Sequence, residues 1–169
     1  MRSVVLVGFM GCGKSTLAQA LAERLRTPFR DGDAELAKRA GRSIAEWIRT
    51  EGSGPLRRAE TAWLEEALAG PRAVISPGGG AFTLREVREQ CRANAETVWV
   101  DAPLRTIRRR LSGRSDRPLW PEDPSEQRRM YDRRSAVYRL AGFRFPIDPA
   151  LDPGALADRL LERWKPREH

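Results

Sequence analysis

Eight consecutive residues carry the sharpest chemical signal in this chain: Gly8-Phe9-Met10-Gly11-Cys12-Gly13-Lys14-Ser15, with Thr16 directly behind. Glycine, four residues, glycine, lysine and a hydroxyl residue is the phosphate-loop spacing. The glycines let successive N–H groups turn inward as an anion nest at a helix amino terminus. Lys14 supplies a point charge to the β and γ phosphates of a nucleoside triphosphate, and the Ser15 hydroxyl supplies a magnesium ligand. The reading is therefore an ATP cradle made of Gly11, Cys12, Gly13, Lys14, Ser15 and Thr16.

A cradle does not name the acceptor. Asp31, Asp33 and Asp101 are the candidates for a further magnesium contact. Asp101-Ala102-Pro103 opens a helical stretch, so Asp101 reads better as an amino-terminal cap. Asp31-Gly32-Asp33 places two carboxylates at a strand end, where they can face a metal and a substrate hydroxyl together. The attacking hydroxyl needs orientation and a proton acceptor. The single histidine is His169, so an aspartate is the natural base. Asp33 is also a candidate helix cap, and the two roles are compatible. In Pro55-Leu56-Arg57-Arg58-Ala59-Glu60, the arginine forks suit bidentate pairing with a carboxylate.

These groups need a frame. Val4 to Val7 is a continuous apolar run, as expected of a strand covered on both faces of a parallel sheet. Leu17, Leu21 and Leu25 then recur every fourth residue on one helical stripe. Further strands are expected at 28–31, 73–75, 97–101 and 145–148. Helices are expected at 33–40, from Ser43 in a capping-box pattern with Glu46, at 56–69 after a break at Gly52-Ser53-Gly54-Pro55, at 104–111, in the arginine-rich stretch after 124, and at 153–164. Residues 112–124, polar and punctuated by prolines, read as a mobile loop over a site. Strands alternating with helices imply a three-layer α/β sandwich in one domain spanning 1–169. Ligands in such sheets lie beyond the carboxyl ends of the strands, where the turns at 8–15, 31–33 and 78–80 should converge.

Bulk composition removes other classes. No apolar run approaches the length of a bilayer span, and the start lacks the regions of a signal peptide, so a cytoplasmic protein is expected. Cys12 and Cys91 have no metal-site spacing and read as free thiols. A net charge of +8 invites a nucleic-acid partner, but the arginines are dispersed over many segments. A solvated surface and a small anionic substrate account for them.

Six motifs in order, namely the phosphate loop, Asp31-x-Asp33, Arg57 with Glu60, Gly78-Gly79-Gly80, Arg117-Pro118-Leu119 and Arg134 with Tyr138, closely resemble shikimate kinase. The resemblance implies a five-stranded parallel sheet ordered 2-3-1-4-5 with a closing lid at 112–124. It implies that Asp33 binds the hydroxyls of shikimate and is the base, and that Arg57 and Arg134 clamp the carboxylate. Gly79 and Gly80 present N–H groups to the ring hydroxyls, and Arg117 swings over the phosphates. Asp31 helps Ser15 hold Mg²⁺ through water, and Arg110 and Pro153 sandwich adenine. Partners are then ATP and shikimate only, with no nucleic acid or membrane, and a monomer is expected. Leu56 stands where the family commonly has phenylalanine. The rivals are a gluconate kinase-like enzyme of the same fold and a nucleotide-dependent nucleic-acid-binding module.

Overall fold

Val4, Val5, Leu6 and Val7 are each no more than 1% exposed, because β1 (Ser3–Val7) runs down the middle of a sheet covered on both faces. The computed structural model describes residues 2–165; His169 lies outside the described residues. Strands β2 (Phe29–Asp31), β3 (Val74–Ser76), β4 (Ala95–Asp101) and β5 (Phe143–Pro146) join β1 in the order β2-β3-β1-β4-β5. Every pairing is parallel, as expected. Parallel neighbours need crossovers, and helices provide them: α1 (Lys14–Leu25), α2 (Gly32–Ala40), α3 (Ile44–Glu51), α4 (Ser53–Ala69), α5 (Arg85–Asn94), α6 (Leu104–Leu111), α7 (Pro124–Tyr138) and α8 (Pro153–Arg163). On one face α8 packs on α1, and on the other α4 packs on α5.

Register sets what meets at the carboxyl edge. Asp31 at the end of β2 pairs with Ser76 at the end of β3. The loop after β1 opens on the same edge, since Val4 and Val5 pair with Val74 and Ile75. Three turns that carry chemistry thus leave the sheet side by side.

Several boundaries differ from the sequence reading. Helix α4 starts at Ser53 rather than 56, because Gly-Ser-Gly-Pro forms its first turn, where backbone N–H groups have no helical partner and Pro55 costs nothing. Helix α5 is an added element between the glycine turn and β4. Strand β5 lies two residues earlier than expected, paired Val98 to Phe143 and Asp101 to Pro146. Asp101 is not a cap: it accepts from Arg144 Nε at 2.8 Å across the β4–β5 pair, and Pro103 precedes α6 without a side-chain cap. Asp31, not Asp33, caps α2, accepting from the Ala34 N–H at 3.0 Å. The Ser43 cap is as expected, accepting from the Glu46 N–H at 3.1 Å.

Candidate active site

The chain leaves β1 and enters α1 through Gly13, whose φ of 97° is a conformation that side-chain-bearing residues rarely take. No side chain caps α1, so its first N–H groups and its positive dipole end remain for an anion. Lys14 is held low over the loop, Nζ donating to the Phe9 carbonyl at 3.2 Å. Thr16 donates its hydroxyl to the Gly13 carbonyl at 3.0 Å, and Arg110 crosses from α6 to donate to the Gly11 carbonyl at 3.1 Å. Cys12 donates its N–H to the Phe9 carbonyl at 3.2 Å and so shapes the turn from within. Its thiol is buried against Gly8, and that burial pushes it above the usual cysteine value.

Oxygen donors stand beside the loop. Ser15 Oγ lies 3.3 Å from Ser76 Oγ, and Ser76 is the register neighbour of Asp31. Both line, with Lys14, Asp33, Arg110 and Arg117, a cleft of about 420 Å³. Sequence reasoning missed Ser76, whose only signal is a hydroxyl at a strand end.

A second cavity adjoins the first. Asp33, Arg57, Glu60, Gly79, Gly80 and Arg134 line it, with Met10, Ile44, Ile48 and Leu56 as apolar wall. Glu60, only 2% exposed, ion-pairs with Arg57 one helical turn away and fixes that fork. Burial pushes the Glu60 carboxyl up, and the Arg57 charge opposes the rise. The glycine turn is packed so closely that a Cβ on Gly80 would lie 2.7 Å from Arg57 Nη1, and one on Gly78 2.8 Å from Asp33 Oδ1. At Gly79 a Cβ would press on backbone instead, 3.0 Å from the Met10 nitrogen, and a side chain at 78 or 80 would displace the groups that line the cavity.

Arg134 of α7 points into the same cavity over the Phe9 ring, 5.3 Å from its centroid. Its Nη1 is buried without a protein partner, and burial lowers its pKa from the ordinary arginine value. Two guanidinium forks and a strip of bare peptide therefore face Asp33, while the cavity's other carboxylates, Glu60 and Asp116, are ion-paired with Arg57 and Arg114. Desolvation raises the Asp33 pKa, with Lys14 as the largest opposing influence and Asp31 adding to the rise. The side chain keeps 36% of its surface open to the cleft, and that solvent limits the rise.

Residues between α6 and α7 close over both cavities. Arg117 Nη1 comes within 3.8 Å of Asp33 Oδ2, and its buried Nε has no hydrogen-bond partner, with Asp116 Oδ2 3.7 Å away. Trp120 meets the Phe9 ring edge-on at 5.8 Å, and Arg49 of α3 donates to the Ser115 carbonyl at 2.9 Å. Asp33 and Arg117 line both cavities, so the phosphate cradle and the acid-and-arginine cup open onto one crevice. Of the residues expected at the site, Cys12 and Pro153 line neither cavity: Cys12 is buried beneath the phosphate loop, and Pro153 opens α8, next to Gly154, which abuts the Arg24 side chain of α1.

A family model of shikimate kinases matches residues 10–165. The chain belongs to the shikimate kinase family. A curated shikimate kinase from Persephonella marina is 33% identical over 163 residues, covering 96% of this chain and 99% of that protein. The solved shikimate kinase from Acinetobacter baumannii, in complex with shikimate, superposes with a TM-score of 0.90 at 30% identity, over 96% of this chain and 92% of the other. A gluconokinase from Sinorhizobium meliloti shares the fold alone, with a TM-score of 0.55 at 21% identity over 96% of this chain and 94% of that one. These two shikimate kinases thus match along nearly their whole length.

Proposed function

We propose that this member of the shikimate kinase family transfers the γ-phosphoryl group of ATP to the 3-hydroxyl of shikimate, with Asp33 as the base. The observation that carries the residue roles is the single crevice in which Asp33 and Arg117 face both cavities. Arg57, anchored by Glu60, and Arg134, with a buried unpartnered Nη1, clamp the acceptor carboxylate. Backbone at Gly79 and Gly80 receives the ring hydroxyls. Asp33 orients the attacking hydroxyl and takes its proton as the bond to phosphorus forms.

On the donor side, the loop N–H groups and Lys14 hold the β and γ phosphates, and Arg117 meets the charge that develops on the transferred group. Arg110 flanks the nucleotide base, a role supported by its contact with Gly11. The oxygen donors Ser15, Asp31 and Ser76 suit Mg²⁺, which takes few protein ligands and keeps water and phosphate for the rest. Among the described residues no three His, Cys, Asp or Glu side chains form a metal cage, in keeping with a metal that arrives with ATP. When bound, Mg²⁺ supplies charge neutralisation at the phosphate oxygens. Closure of 112–124 excludes water, which protects ATP from hydrolysis.

We further read the protein as a cytoplasmic monomer without nucleic-acid or membrane partners. Leu140 is the one large apolar side chain exposed among the described residues, and none of their helices is long and apolar enough to cross a membrane. The test is a coupled assay of ADP release with shikimate, quinate, gluconate or no acceptor. Release that depends on shikimate is expected; release driven equally by gluconate would overturn the assignment.

A further inference from the structure

Tyr138 is 1% exposed at the carboxyl end of α7, one turn beyond Arg134, and its hydroxyl does not enter either cavity. A buried phenol needs a partner. Its Oη donates to the Gly79 carbonyl in a short hydrogen bond. With the proton committed there, the oxygen's lone pairs are left to accept, and Arg134, four residues earlier on the same face of α7, is the cation placed to donate to them. The Tyr138 ring is fixed from behind by Trp99 of β4, with centroids 6.4 Å apart.

One oxygen atom thus joins two groups that face the acceptor from different elements. Arg134 comes from α7, and Gly79 sits 55 residues earlier in the turn after β3. The bond to the Gly79 carbonyl sets the plane of the Gly79–Gly80 peptide, and hence where the Gly80 N–H points. The contact with Arg134 sets the guanidinium whose Nη1 is buried and unpartnered. We propose that Tyr138 is a positioning residue for the acceptor: its hydroxyl locks the clamp arginine and the glycine peptide into one rigid unit, so that carboxylate and hydroxyl recognition share a register. This inference rests on the acceptor site proposed above.

The test is Tyr138→Phe, alone and combined with Arg134→Lys, with kcat, the KM of each substrate and Tm measured for every variant. Tyr138→Phe should raise the acceptor KM by roughly ten- to a hundredfold, the size of a lost charge-assisted hydrogen bond, and leave the ATP KM within about twofold. In the Arg134→Lys background the same change should add less than it does in the wild type, since one of the two groups it holds is already gone. Trp99→Phe is the packing control: it disturbs the ring and spares the hydroxyl, so it should lower Tm with little change in acceptor KM. The inference fails if Tyr138→Phe leaves the acceptor KM unchanged, if its cost is additive with Arg134→Lys, or if Trp99→Phe reproduces it. Ratios are taken on whichever acid the wild type phosphorylates, so an error in the acceptor's identity shows in the wild-type panel and leaves the Tyr138 comparison intact.

Discussion

Asp33, proposed above as the general base, sits between two opposed influences: an environment that raises its pKa and cationic neighbours that restrain the rise. Desolvation in the crevice is the larger influence; Lys14, Arg117 and Arg57 oppose it, and Asp31 reinforces it. A base works only unprotonated, so activity must fall as pH drops through the Asp33 pKa. The acid limb of kcat/KM, which reports the free enzyme, is expected above the ordinary aspartate value of 3.8. A rate that stays flat down to about that value would contradict the role. Asp33, Arg57 and the glycine turn at 78–80 were legible as candidates because each is a residue type whose chemistry is local, whereas Arg134 came only with the family resemblance. Glu60, Ser76 and the Tyr138 hydroxyl were not legible as site residues. Their meaning lies in approaches such as Ser15 to Ser76, 61 residues apart, which no local spacing encodes.

The elements hold these side chains through a brace behind the site. Glu35 of α2 accepts from Arg30 Nε of β2 at 3.0 Å and from Trp63 Nε1 of α4 at 2.9 Å. Trp63 is 1% exposed, and its ring lies so near Gly32 that a Cβ there would come within 2.8 Å of it. The carboxylate pair and the Arg57 helix are therefore set against one another by a single side chain. Glu35→Ala should cost about 1–2 kcal/mol, discounted for partial exposure, and lower Tm by about 3–6 °C. Its hydrogen bond from Arg30, more than that from Trp63, holds the Glu35 carboxyl below the usual glutamate value. A depressed carboxyl stabilises the fold above its unfolded pKa and loses that contribution as pH falls through the folded one. The gap in Tm between wild type and variant should be full at neutral pH and shrink below about pH 4.5; a constant gap would show that packing alone is responsible. At this scale the sequence was readable wherever periodicity was strong. Helix α5 escaped because only Val87 and Cys91 of its ten residues are buried, too few to mark a stripe. The start of α4 escaped because glycine and proline punctuate a loop and a first helical turn alike.

Across the whole molecule, the alternation of strands and helices specified the sheet, and the sheet then determined which turns converge. Part of the basic surface is locally paired: Arg24, Arg30, Arg39, Arg42, Arg85 and Arg144 each meet a carboxylate, with Arg30 and Arg39 sharing Glu35 and Glu66, which favours the reading without a nucleic-acid partner proposed above. Single-stranded RNA or duplex DNA at about physiological ionic strength should leave the KM for ATP within about twofold. Competition that falls steeply with salt would restore the nucleic-acid reading. The central claim remains that the donor and acceptor halves of this molecule meet at one carboxylate. Its most direct test is Asp33→Asn, with turnover on shikimate and affinity for ATP measured side by side. Turnover should fall by at least about a hundredfold while ATP affinity stays within a few-fold. Near-normal turnover in that variant, or a parallel collapse of nucleotide binding, would contradict the account.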